Sequence, residues 1–94
     1  MIIYQDWITR QDLLDNPDRI YLFGDNVQRQ GFGGQAKEMR GEPNAIGIIT
    51  KKKPEHTPDA YFMQWDWDND RNYVTKLIDW SFSLIPKGCD IVIP

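Results

Sequence analysis

The chain has 94 residues, 40% hydrophobic and 27% charged, with a formal net charge of −3. That bounds it to one domain, residues 1–94, with one modest core. It excludes a membrane span, since no run approaches roughly 18 apolar residues, and its single cysteine, Cys89, excludes an internal disulfide or a multi-cysteine metal site.

In chain order, "MIIY" reads as a short strand, and "TRQDLLDNPDR" as a short helix with Thr9 at its N-cap and Pro17 beyond its end. "RIYLFG" (19–24) is a run of β-branched, aromatic and apolar residues, the signal of a buried strand. "GGQAKEMRG" (33–41) is a short helix opened and closed by glycine, and "NAIGIIT" (44–50) a second buried strand. "KKKPEHTPDAYF" is a loop rich in proline and lysine. Residues 66–86 form the strongest helical pattern, with Tyr73, Leu77, Trp80 and Leu84 on one face. Asp66, Asp68 and Asp70 stand at its N-terminal end, where the helix dipole favours negative charge. "GCDIVIP" (88–94) is a further buried strand.

Strands alternating with helices imply an α/β fold of three layers, a mostly parallel or mixed sheet flanked by helices. The chain stops at the carboxyl end of a strand, where open α/β sheets place their ligand loops. That suggests a domain incomplete at its C-terminal end. An open sheet in so short a chain also leaves room for pairing with a second copy. With no signal-peptide pattern, the expected compartment is the cytoplasm.

Charge is uneven along the chain. Residues 24–53 carry a net +3 and the remainder a net −6. Such a chain is a poor partner for nucleic acid, whose phosphate backbone most of its surface would repel. It suits a small anionic ligand held at one place.

That place is the turn after "IYLF". Five of the seven glycines lie between residues 21 and 41. Gly24-Asp25-Asn26 ends the strand, and Gly31-Phe32-Gly33-Gly34 opens the next helix. Successive main-chain N–H groups in a glycine turn form an anion site, because glycine adopts positive φ and lets a phosphate approach the backbone. The spacing is neither a Walker loop nor a dinucleotide-binding GxGxxG. Asn26 can donate and accept, which suits a ribose or a base edge. Asp25 and Asn26 can equally cap the turn through their own backbone, as such residues often do.

Around these residues the chain resembles a known family. "YLFGDNVQRQGFGGQAKEMRGEPNAIGIITKK" is similar to small phage- and bacteria-encoded proteins that look like minimal relatives of the macrodomain, the ADP-ribose-binding fold. The resemblance is close over roughly residues 19–53. It implies that Asn26 contacts a ribose and that Gly31, Gly33 and Gly34 cradle phosphates. It also implies a second phosphate loop after the last strand, which "DIVIP" does not supply. In a phage, such a protein would sequester a nucleotide signal of host defence.

Other residues have two readings each. Lys51, Lys52 and Lys53 end a strand and either neutralise ligand phosphates or form a solvated run. Arg29 and Arg40 can clamp a phosphate bidentately, and Arg40 can instead bind carbonyls at its helix C-terminus. His56 lies in a proline-bounded loop as surface or as an acid–base group. Trp65 and Trp67 either stack on a base or pack as core or lid. An EF-hand starting at Asp66 would need glycine and glutamate where Arg71 and Leu77 stand, so calcium is rejected and no metal site is assigned. Cys89 reads as inert core.

The favoured function is binding of a nucleotide-derived phosphate ligand, through Gly24, Asn26, Arg29, Gly31, Phe32, Gly33, Gly34 and Lys51, without a cofactor. Two alternatives stand beside it. One is hydrolysis of an ADP-ribosyl linkage with Asp25 polarising a water. The other is a partner-binding module using the tryptophan-rich acidic half.

Overall fold

The computed structural model describes residues 1–52, 54 and 64–94, with the backbone alone at 64–70 and 74. The expectations placed on Lys53, His56 and the side chains of Trp65, Asp66, Trp67, Asp68 and Asp70 lie outside the described residues.

The elements are β1 (Ile2–Tyr4), α1 (Arg10–Asp15), β2 (Ile20–Asn26), α2 (Ala36–Met39), β3 (Ala45–Lys51), α3 (Gln64–Ser83) and β4 (Ile91–Ile93). The four strands form one sheet in the order β1-β4-β2-β3. Every pairing is parallel, so the sheet is an α/β sheet of the parallel kind. No helix among the described residues is long and apolar enough to cross a membrane.

Local chemistry starts and stops these elements. Thr9 caps α1 as its sequence position foretold: its hydroxyl accepts from the Asp12 amide, and the Asp12 carboxylate accepts from the Thr9 amide at 2.8 Å. Both groups would otherwise be orphan donors at the helix start. The helix expected over 33–41 is only the four residues of α2, because Gly33, Gly34 and Gly41 bound it too closely for a longer run. A helix this short has little dipole to offer a ligand.

The strands from β1 to β2 and from β2 to β3 step in the same direction across the sheet, so right-handed crossovers put α1 and α2 on one face. There Leu13, Ala36 and Met39 pack on Tyr21, Phe23 and Val92, with Ile8 closing the cluster. Leu13, Met39 and Val92 are almost wholly buried, each contributing about 1.5–3 kcal/mol by leaving water. Asn44 is buried beside them and donates to the carbonyls of Leu13 and Asn16, tying the end of α1 to the start of β3.

The outer edge of β3 is occupied. Ser81 on α3 is fully buried, accepts from the Ile49 amide at 3.1 Å and donates to the Leu77 carbonyl. Arg29 donates to the Gly47 carbonyl at 2.6 Å on the same edge. These two side chains take up backbone groups that an added strand would need on that edge. This corrects the reading of α3. Of its stripe, Tyr73, Trp80 and Leu84 stay half exposed and Leu77 is half-buried, while the fully buried position is Ser81.

Candidate functional site

β2 runs two residues further than expected, so Asp25 and Asn26 belong to the strand and not to the turn after it. Alternation then decides where Asp25 goes. Tyr21, Phe23 and Asp25 share the face covered by α1 and α2, which buries the carboxylate to 2% exposure. A charge so placed must be paired, and it is paired twice. Arg40 donates to both carboxylate oxygens, at 2.6 and 3.2 Å, and Arg29 donates to Oδ2 at 3.0 Å. The Asn26 amide adds a bond to Oδ1 at 2.8 Å. Burial alone would raise the Asp25 carboxyl, but the bonds from Arg40, Arg29 and the Asn26 amide outweigh it and hold it below the ordinary carboxylate value.

Gly47 is what makes room for this cluster. It stands opposite Phe23 on β3, and a Cβ there would come within 2.8 Å of Arg29 Nη1 and within contact of the Asp25 carboxylate. Sequence reasoning passed over Gly47 because a glycine inside an apolar run carries no label. The two arginines are braced further by rings: Arg29 lies 5.0 Å from the Trp80 ring and Arg40 5.4 Å from the Phe23 ring.

Beyond the carboxyl ends of β2 and β3 lies an open cleft of about 300 Å³. Of the residues proposed from sequence, Gly24, Asn26, Gly31, Gly33, Gly34, Arg40 and Lys51 line it. Arg29 does not, since it is engaged with Asp25, Gly47 and Trp80. Phe32 projects from the loop and is 65% exposed without lining the cleft. Asp25 is also not a lining residue, and no Asp or Glu among the described residues is.

The loop is braced at both ends. The Asn26 amide group donates to the Gln30 carbonyl at 2.7 Å, and its oxygen faces the Gln30 N–H, so the side chain closes a small ring. Arg40 Nε donates to the Gly31 carbonyl at 2.7 Å and Nη2 to the Gln30 carbonyl at 3.3 Å. The Arg40 side chain is therefore neither a free phosphate clamp nor bound to the carbonyls of its own helix, which its backbone N–H caps at the Ala36 carbonyl. Gln35, which sequence reading did not single out, bonds both the N–H and the carbonyl of Ile8 at 2.8 Å. Gly31 has φ +98°, and a Cβ there would lie 2.9 Å from Pro54 Cβ, so only glycine fits.

Between these braces, the N–H groups of residues 31–35 meet no acceptor among the described residues. Lys51 stands at the cleft and reaches the Pro54 carbonyl at 3.3 Å. The arrangement offers donors and positive charge and, among the described residues, no acid to whatever enters.

A family model described as a family of unknown function (DUF7831) matches residues 3–94, and the chain belongs to that family. No curated protein and no solved structure gives a match.

Proposed function

We propose that the protein binds a phosphate-bearing, nucleotide-derived ligand of the ADP-ribose or NAD-derived kind in the cleft above β2 and β3. The observation that carries this reading is the run of main-chain donors at residues 31–35 with no acceptor among the described residues, set in a cleft that no described carboxylate lines. Such a run is the recurrent device for holding phosphate oxygens. Its place, outside the carboxyl ends of parallel strands, is where α/β sheets bind ligands. A volume of about 300 Å³ sits at the small end of the roughly 300–1,000 Å³ typical of ligand pockets, room for phosphate and sugar before a base. The likeness of residues 19–53 to small macrodomain relatives supplies the nucleotide part of the reading.

Binding is preferred to hydrolysis for one reason. A carboxylate that polarises water needs a free oxygen facing substrate, whereas both oxygens of Asp25 are held by guanidinium groups and the residue stands outside the cleft lining.

The test is calorimetric titration with ADP-ribose, NAD, a cyclic nucleotide and inorganic pyrophosphate. Saturable binding of at least one phosphate compound, weakened in Lys51→Ala, is the expected outcome. Silence across the set at millimolar ligand overturns the proposal.

A further inference from the structure

We infer that Asp25 and Arg40 are positioning residues: a charge pair, its carboxylate buried behind the cleft and its guanidinium in the cleft wall, that fixes the direction of the Gly31 and Phe32 N–H groups that would hold a phosphate oxygen. The inference rests on the binding reading above and adds how that site is held in shape.

The argument runs through peptide planarity. In a trans peptide the carbonyl of one residue and the N–H of the next lie in one plane and point in opposite directions. Arg40 takes the carbonyls of both Gln30 and Gly31 onto one guanidinium group. The N–H groups of Gly31 and Phe32, the other halves of those two peptides, therefore both turn away from it. They stand next to each other and meet no acceptor among the described residues. Two adjacent amides aimed one way make a concavity that takes a single tetrahedral oxyanion.

What keeps Arg40 in place is Asp25. The guanidinium has five N–H donors, and its Nη1 and Nη2 both reach the carboxylate while Nε and Nη2 reach the loop. A planar, bidentate pair fixes orientation as well as distance. Lysine, a point charge on a flexible stem, cannot hold two carboxylate oxygens and two carbonyls at once. Asp25 itself cannot drift, being nearly fully buried in β2 and held from the other side by Arg29. Asp25 is shared with Arg29, so the cluster keeps one net positive charge at the cleft wall, and the ligand-free amide shifts are what separate its geometric role from its field.

The experiment uses amide NMR of the full chain together with pyrophosphate titration, in wild type, Asp25→Asn, Arg40→Lys and the double variant. In the ligand-free protein, the Gly31 and Phe32 amide resonances are expected to shift in each variant while those of β4 stay in place. Affinity for pyrophosphate falls roughly tenfold or more, the loss of about one charge-assisted hydrogen bond. The double variant binds no more weakly than Arg40→Lys alone, because the two residues act as one device. Free guanidinium added to an Arg40→Ala protein restores part of the affinity. Unmoved Gly31 and Phe32 resonances, or undiminished affinity in Arg40→Lys, overturn the inference. Should a variant fail to fold, the wild-type titration still decides: pyrophosphate must perturb the Gly31 and Phe32 amides first, and perturbation centred elsewhere overturns it. Failure of wild type to bind any phosphate compound defeats the functional proposal, whereas the ligand-free shifts report the positioning role separately.

Discussion

Replacing Gly47 by alanine should unfold the protein more readily than its small size implies. Gly47 has no positive φ, so its backbone conformation accepts a side chain. The obstacle is space. The new Cβ would lie 2.8 Å from both Asp25 Cβ and Arg29 Nη1. Asp25 Cβ is fixed to the neighbouring strand, two register pairs along, and cannot retreat. Relieving the first clash parts β2 from β3 and relieving the second breaks the Asp25–Arg29 contact, so both costs apply. Overpacking costs about 1–3 kcal/mol, and one broken charge-assisted hydrogen bond about 1.5–3 kcal/mol. Alanine regains about 0.5–1 kcal/mol over glycine in an element interior. The net loss is about 2–5 kcal/mol, or a fall in Tm of at least ~8 °C for a domain of this size. Urea unfolding followed by circular dichroism measures it, with an unchanged m-value confirming that the folded state is what changed. Gly24→Ala is the control, since its Cβ would meet only the Thr50 hydroxyl at 3.3 Å, a group that can rotate aside. A Gly47→Ala protein within about 0.5 kcal/mol of wild type, the scatter of an ordinary surface change, would refute the packing argument.

Two further outcomes follow from the same contacts. Ser81→Ala leaves the buried Ile49 amide without its acceptor and should cost about 1–3 kcal/mol in the same unfolding assay, with Ser81→Thr recovering part of it if the hydroxyl is what matters. Asp25 is held below its ordinary value of 3.8, so the stability it contributes is complete above that pH and is lost as pH falls through the lower, folded-state value. Wild type should therefore lose stability below about pH 4 more steeply than Asp25→Asn, measured as Tm against pH; parallel profiles for the two proteins would remove Asp25 from the acid transition.

The sheet was legible in the sequence because its strands are short apolar runs bounded by glycine, asparagine and aspartate, and Thr9 announced α1 as an N-cap residue. The glycine turn was legible as a candidate for the same reason that it lines the cleft: only glycine tolerates the conformation at Gly31. The roles of the polar residues were less so. Asp25 and Asn26 read as turn residues because aspartate and asparagine usually end strands, whereas β2 continues through both and sends Asp25 into the helix-covered face. No local pattern ties Asp25 to Arg40, fifteen residues on, or Gln35 to Ile8, twenty-seven residues back. Those pairings exist only once the sheet has brought the segments together. For α3 the apolar stripe misled. Trp80 is used as a platform for Arg29, and a small hydroxyl does the buried work because the β3 edge needs a hydrogen-bond acceptor more than another ring.

The strand order has a consequence for how the molecule is made. Among the described strands β1 hydrogen-bonds only to β4, so an early strand waits for one synthesised much later. β2 and β3, joined by the glycine loop and α2, can pair while the chain is still leaving the ribosome. The N-terminal strand cannot dock until residues 91–93 slide between it and β2. Insertion of the late strand, whose contacts span nearly the whole chain, is then the slow, entropy-limited step of assembly. Until it occurs the nascent protein holds a glycine loop already shaped beside a half-built sheet.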